Sequence, residues 1–291
     1  MNRRQLLLGS LALLASTRAL GRDGGREQPL RLAIHRDVHA DYLRFVGARN
    51  ALSLNEFGGN WSRRDVVEVV LLQQALQRGG NTRPLRFVVA DSYSRLLKML
   101  AGDEADISAS SAWKIDADDY PGQIEVSQPV IRQGQFEAGL YFPEGHEGLR
   151  IVAADPTALT RYTAICSGDW RPDIATLHAL GVRILLTESW GSMLGMLRKG
   201  RADFVLAPFQ PNADFRITRD DLVLLPVHGH KVGLVGTRHF LIGRDVEPAS
   251  PLPALLNRGL TLLEKNGMIS RAYQQSGFFD TRVQNWPRLN T

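Results

Sequence analysis

The chain has 291 residues, 44% of them apolar and 22% charged, with a formal charge of +5. That length holds two domains or one large α/β domain, and the composition excludes a disordered or fibrous chain. Without Arg3, Arg4 and Arg18 the charge falls to +2, and no Lys/Arg run elsewhere points to a nucleic-acid partner.

Residues 1–21 run in the order charged, apolar, small: Arg3-Arg4, then Leu6–Ala15, then a cleavage-like Ala19-Leu20-Gly21. This order predicts a secretory signal peptide over 1–21, with a retained membrane anchor as the alternative. Arg3-Arg4-Gln5-Leu6-Leu7 is similar to a twin-arginine export signal, with Asn2 where Ser or Thr usually stands, so both export routes stay open. The single cysteine, Cys166, lies far from the leader inside the apolar run Tyr162–Cys166. It offers no lipid anchor, internal disulfide or cysteine-built zinc site, and a buried strand position is expected for it. A periplasmic protein, soluble after cleavage, follows as the expectation.

Beyond a Gly- and charge-rich lead-in, Leu30–His35 reads as a strand and 37–61 as irregular chain. Ser62 is expected to cap a helix over 62–78, since Val66, Val67, Val70, Leu71 and Ala75 recur at helical spacing. Strand Leu85–Ala90, helix Arg95–Leu100 and strand Ile107–Ser110 follow. Further on come strand Thr163–Cys166, helix Pro172–Leu180, strand Val182–Thr187, helix Met193–Lys199 and strand Phe204–Leu206. One long helix, Leu252–Ser276, is expected to close the chain. Strands alternating with helices across short turns predict mainly parallel sheets, which bind ligands beyond the carboxyl ends of their strands.

Two of these segments align without a gap. Ser92-Tyr93 to Ala105-Asp106-Ile107 matches Ser189-Trp190 to Ala202-Asp203-Phe204, each with a Gly near the helix end, Gly102 and Gly200. Each copy follows a strand-like run, carries Leu/Met at helical spacing and opens another apolar run with Ala-Asp. Two generic αβ turns would share part of this pattern; the unbroken register favours one unit used once in each of two lobes, a small-molecule clamp.

The two copies resemble periplasmic solute-binding proteins of family 3, which have the type 2 fold. Ser127-Gln128-Pro129-Val130 looks like that family's crossover segment and His239–Arg244 like its returning strand. Leu262–Ile269, with Ala272-Tyr273 and Gly277-Phe278, is similar to its closing helix. The resemblance implies an α/β fold of two Rossmann-like lobes joined by a hinge, with 28–140 plus 229–291 forming one lobe and 141–228 the other. It also implies closure over a solute. Amino-acid binders of the family hold the α-carboxylate with an Arg after the third strand and the α-ammonium with an Asp beyond the second Ala-Asp. Residues 112–120 contain no Arg, and Val205–Gln210 contains no acid, so a standard free amino acid is not the expected ligand.

Other side chains stand at the predicted strand ends: Tyr93, Ser111, Trp113 and Lys114 from one lobe, Ser167, Trp170, Arg171, Ser189 and Trp190 from the other. Trp61 lies in the loop before the first long helix. These ten are the candidate ligand-binding residues. Tryptophan faces suit a ring-bearing, apolar or cationic ligand, while serines ahead of helices, with Arg171 and Lys114, suit an acidic end. The bland alternatives are rings wedging loops and serines serving only as caps. Asp116, Asp118 and Asp119 are expected to be a solvated cluster, and His228-Gly229-His230 lacks a third ligand spaced for zinc. No phosphate loop, Gly-x-Ser-x-Gly or His-Glu-x-x-His is present, so neither metal nor cofactor is expected.

The favoured function is a non-enzymatic binder that delivers a solute to a membrane permease as the binding component of an ABC transporter. A periplasmic sensor presenting its ligand to a receptor is the second reading. A cleft dehydratase using Glu188 or His35 is the third.

Overall fold

The computed structural model describes residues 28–244 and 251–290, so the expected signal peptide lies outside the described residues. Within them the duplicated segment is two copies of one local structure. Ser92 and Ser189 cap helices Tyr93–Ala101 and Trp190–Arg198, each accepting the N–H three residues on at 3.1 Å. The Ala-Asp aspartates repeat a second device. Asp106 accepts the backbone N–H of Arg31 at 2.6 Å, and Asp203 that of Thr163 at 2.7 Å. Each aspartate also returns its own N–H to the carbonyl of the same residue. The next residues pair in parallel, Leu32 with Ile107 and Ala164 with Phe204.

Around each copy a sheet assembles. The first runs Leu85–Ala90, Leu30–His35, Ile107–Ser108, Leu241–Gly243, Ile124–Val126. The second begins with the parallel pair Arg183–Thr187 and Thr163–Ser167 and passes through the Ala164–Phe204 bridge to Val205–Ala207. It continues through Glu137–Pro143 and Leu222–Pro226 to Ile217–Arg219. Only the duplicated half of each sheet is parallel. Leu241–Gly243 and Glu137–Pro143 each run antiparallel to their neighbours, which corrects the expectation of mainly parallel sheets. Strands that enter a lobe from the other lobe need no crossover helix, so nothing forces them parallel.

Three local expectations also change. Residues 36–46 are a helix, Arg36–Val46, whose buried face is Val38, Asp41, Tyr42, Phe45 and Val46; an acid in the apolar stripe hid the periodicity. Ser62 is not a cap: the next helix is Arg64–Gly79, and the Ser62 hydroxyl donates to the Phe57 carbonyl. The closing helix is two, Leu252–Lys265 and Met268–Gln275, broken where Gly267 takes φ +72°. Helices Arg64–Gly79 and Leu252–Lys265 cross closely because Gly79 faces the Leu255 backbone and Gly259 that of Ala75. A Cβ on Gly259 would stand 1.8 Å from the Ala75 carbonyl oxygen.

The lobes are joined by two chain segments that pair antiparallel, Glu137 with Gly233 and Ala138 with Val232. The C-terminal residues brace this hinge. Buried Lys231 places its ammonium on Glu137 at 2.9 Å and on the Val283 carbonyl at 2.8 Å, while Asn290 exchanges two hydrogen bonds with Gly233.

Candidate functional site

Between the lobes lies a cavity of about 650 Å³, lined from both sheets. This size and position suit a small-molecule site.

The floor on the first lobe is built from the start of helix Arg64–Gly79 and from strands Ala112–Trp113 and Arg238–His239, in which Arg238 pairs with Trp113. Glu68, fully buried on the helix, is its organising charge. It accepts from the Ser111 N–H (2.8 Å) and hydroxyl (2.7 Å), from Arg64 (2.8 Å) and from the Tyr273 hydroxyl (2.9 Å). Ser111 Oγ in turn accepts from Arg64 at 3.3 Å and from Arg238 Nε at 3.1 Å, so two guanidinium groups converge on one hydroxyl.

Glu68 balances Arg64. Among the described residues no carboxylate pairs with Arg238, which is 7% exposed and lines the cavity. Arg238 gives Nε and Nη2 to Ser111 and lies over the Trp113 ring at 4.8 Å. Burial, and then the nearby Arg64 charge, lower its pKa, yet a guanidinium stays protonated. The floor therefore carries one uncompensated cation with donor capacity left over. Arg64 Nε is buried without a partner as well.

The second lobe supplies the opposite wall. Trp170 and Trp190 flank the turns after strands Thr163–Ser167 and Arg183–Thr187, with Asp173 in the first turn of helix Arg171–Ala179. Asp173 lines the cavity, and burial pushes its carboxyl up to about 7. His35 stacks on Tyr93 (6.0 Å, 9°), and burial lowers its pKa, which keeps the ring neutral at neutral pH.

Of the ten candidates, Tyr93, Ser111, Trp113, Ser167, Trp170, Ser189 and Trp190 line the cavity. Trp61, Lys114 and Arg171 are not part of its lining. Trp61 is held outside between Arg44 (4.5 Å) and Arg219 (5.7 Å). Lys114 is exposed and paired with Asp118 one helical turn on, at 2.7 Å. Arg171 spans the cleft to the first lobe, meeting Asp116 at 3.1 Å, Asp119 at 2.7 Å and the Ile115 carbonyl at 2.7 Å. Asp116 corrects the expectation of a solvated acidic cluster. It is 2% exposed, takes the Tyr93 hydroxyl as well as Arg171, and burial raises its pKa. Arg64, Arg238 and Asp173 are among the cavity residues that sequence reasoning missed. A charge inside the apolar run Val232–Gly243 was the available signal for Arg238.

On the other flank Arg219 reaches across to buried Asp41 at 3.1 Å, beside Arg63 at 3.0 Å. Two arginines thus fasten the lobes. Arg171→Ala strands buried Asp116 and frees the lobes to part, which lowers the share of molecules competent to enclose a ligand. The expected result is an affinity loss of about tenfold for any cleft ligand and a larger radius of gyration in solution scattering. Arg219→Ala should do less, because Asp41 keeps Arg63. Unchanged affinity and radius in Arg171→Ala would refute the clasp.

The chain matches no protein-family model, and no curated protein is close enough in sequence to count as a relative. Solved structures do resemble it. The periplasmic VFT2 domain of BvgS from Bordetella pertussis is 13% identical with a TM-score of 0.57, over 84% of this chain and 92% of that one. The GluR0 ligand-binding core from Nostoc punctiforme, in complex with L-glutamate, is 13% identical with a TM-score of 0.51, over 87% and 100%. An ancestral arginine-binding protein bound to arginine is 12% identical with a TM-score of 0.51, over 87% and 99%. These likenesses establish the fold: two α/β lobes hinged around a cleft, the type 2 periplasmic binding fold.

Proposed function

We propose that this chain is an extracytoplasmic solute-binding protein that encloses a small acidic, ring-bearing molecule between its lobes, without turning it over, and presents it to a membrane permease. The observation that carries this reading is Arg238, a buried cation on the cavity floor with no carboxylate partner among the described residues. A buried charge without a partner is unfavourable, and a planar anion entering the cavity would supply the partner. Trp170 and Trp190 offer the ring a stacking surface. Non-enzymatic binding is supported by the disposition of the two acid–base candidates: Glu188 is exposed, and His35 is stacked on Tyr93 rather than hydrogen-bonded to Glu188. No helix of the described residues is long and apolar enough to cross a membrane. The proposed division is 28–140 with 229–291 as one lobe and 141–228 as the other, with strands Glu137–Pro143 and Val232–Gly233, which pair with the second lobe's sheet, at its borders.

The test is a titration of the chain without its first 21 residues against phenylacetate and its neutral isostere phenylacetamide. The acid is expected to bind at least about tenfold more tightly and to raise the melting temperature with concentration. Equal affinity for the two, or binding of neither, would overturn the acidic-ligand reading.

A further inference from the structure

Asp173, in the first turn of helix Arg171–Ala179, lines the cavity from the lobe opposite Arg64 and Arg238, which line its floor. Its carboxyl makes no ion pair or hydrogen bond with another side chain among the described residues; the backbone N–H that it meets is its own. The charges acting on it come from the other side of the cleft: Arg238 first, then Arg64, both favouring the carboxylate, and Asp116, which opposes it. On its own lobe the Cys166 thiol lies near, raised by burial and then by Asp173 itself. An acid facing two arginines across a cavity is in competition with any anion that enters.

We infer that Asp173 couples ligand capture to proton uptake: an acidic ligand seated on Arg238 binds together with one proton, which Asp173 takes from solvent and directs toward the ligand. This rests on the reading of Arg238 as the anion seat. Two effects act in the same direction. The incoming anion neutralises the field of Arg238 that had favoured ionised Asp173, and it adds its own repulsion. Burial already holds the carboxyl near 7, so little more is needed to keep it protonated at neutral pH. The protonated acid then becomes a hydrogen-bond donor to the carboxylate, where the ionised one would repel it. Selectivity follows: the cleft takes monoanions with an acceptor facing the second lobe and rejects ligands that bring a second full negative charge to Asp173.

Phenylacetate binding measured calorimetrically near pH 7, in two buffers of different ionisation enthalpy, tests the coupling. Wild-type protein should take up a fraction of a proton per ligand, and its affinity should fall about tenfold between about pH 6 and about pH 9. In Asp173→Asn the uptake should vanish and the affinity profile should flatten. Proton release, or the same pH dependence in Asp173→Asn as in wild type, would overturn the coupling while leaving the anion seat intact. Failure of phenylacetate to bind would remove the anion seat and the coupling together. A ligand-free measurement guards against a variant that merely misfolds. A carboxyl with a raised folded-state pKa loses stability as pH climbs from about 4 to about 7, so the melting temperature of Asp173→Asn should rise relative to wild type across that window. A constant difference would count against Asp173 as the titrating group.

Discussion

Glu68→Ala should be among the most destabilising single substitutions in this chain, at about 3–5 kcal/mol, because it removes the nearer carboxylate from a buried arginine and the shared acceptor of three further donors. The figure follows from what would be left behind. Arg64, largely buried, would keep only Asp65, at 4.0 Å, and the Tyr273 hydroxyl and both donors of Ser111 would lose their common acceptor. Each orphaned buried donor costs about 1–3 kcal/mol, and the weakened pairing of the Arg64 charge adds to that. Denaturant titration would read the change as a fall in midpoint without a change in slope. The double variant Glu68→Met with Arg64→Met should recover part of the loss, since removing both charges strands neither. A Glu68→Ala loss below about 1 kcal/mol would mean that the floor is wet and the network weak.

That network was scarcely legible from sequence, whereas the repeated unit was. Ser92 and Ser189 work within three residues, and Asp106 and Asp203 each meet the backbone beside their own strand, so the pattern survives in the string of residues. Glu68 looked like a polar position on an apolar helix. Its partners come from Ser111 and Tyr273, which only tertiary packing brings together. Arg238 enters the cavity because its strand pairs with Ala112–Trp113, a contact made across more than a hundred residues. Residues 112–120 after the third strand hold no arginine, and the guanidinium groups that reach Ser111 come from helix Arg64–Gly79 and from the returning chain. Of the serines read as standing ahead of helices, Ser189 caps its helix and Ser167 accepts the Asp169 N–H, while Ser111 serves Glu68 and the two arginines. Ring-bearing strand ends were easier, because a tryptophan in the turn between a strand and a helix has few places to go other than the cleft face. Trp170 and Trp190 went there, while Trp61, carried on a loop outside the sheets, was captured by Arg44 and Arg219.

Arg238→Met should separate stability from binding in the opposite sense to Glu68→Ala. The wild-type side chain brings a charge into the floor with no opposite charge to meet it, so an apolar replacement of similar length removes a desolvation cost. Against that gain stand two hydrogen bonds to Ser111 and the stacking on Trp113. Hydrogen bonds from charged donors contribute about 1.5–3 kcal/mol each, less what dehydration of the guanidinium has already cost. These terms nearly cancel, and the melting temperature of Arg238→Met should hold or rise. Its affinity for phenylacetate should fall at least about a hundredfold, the loss of close to 3 kcal/mol expected when a charge-assisted contact to a carboxylate disappears. Arg238→Lys should not restore it fully, because an ammonium cannot keep both bonds to Ser111 and still present a planar pair of donors to an anion. The opposite pattern, a steep fall in melting temperature with binding kept within about threefold, would make Arg238 a structural strut and move the ligand's charged end elsewhere.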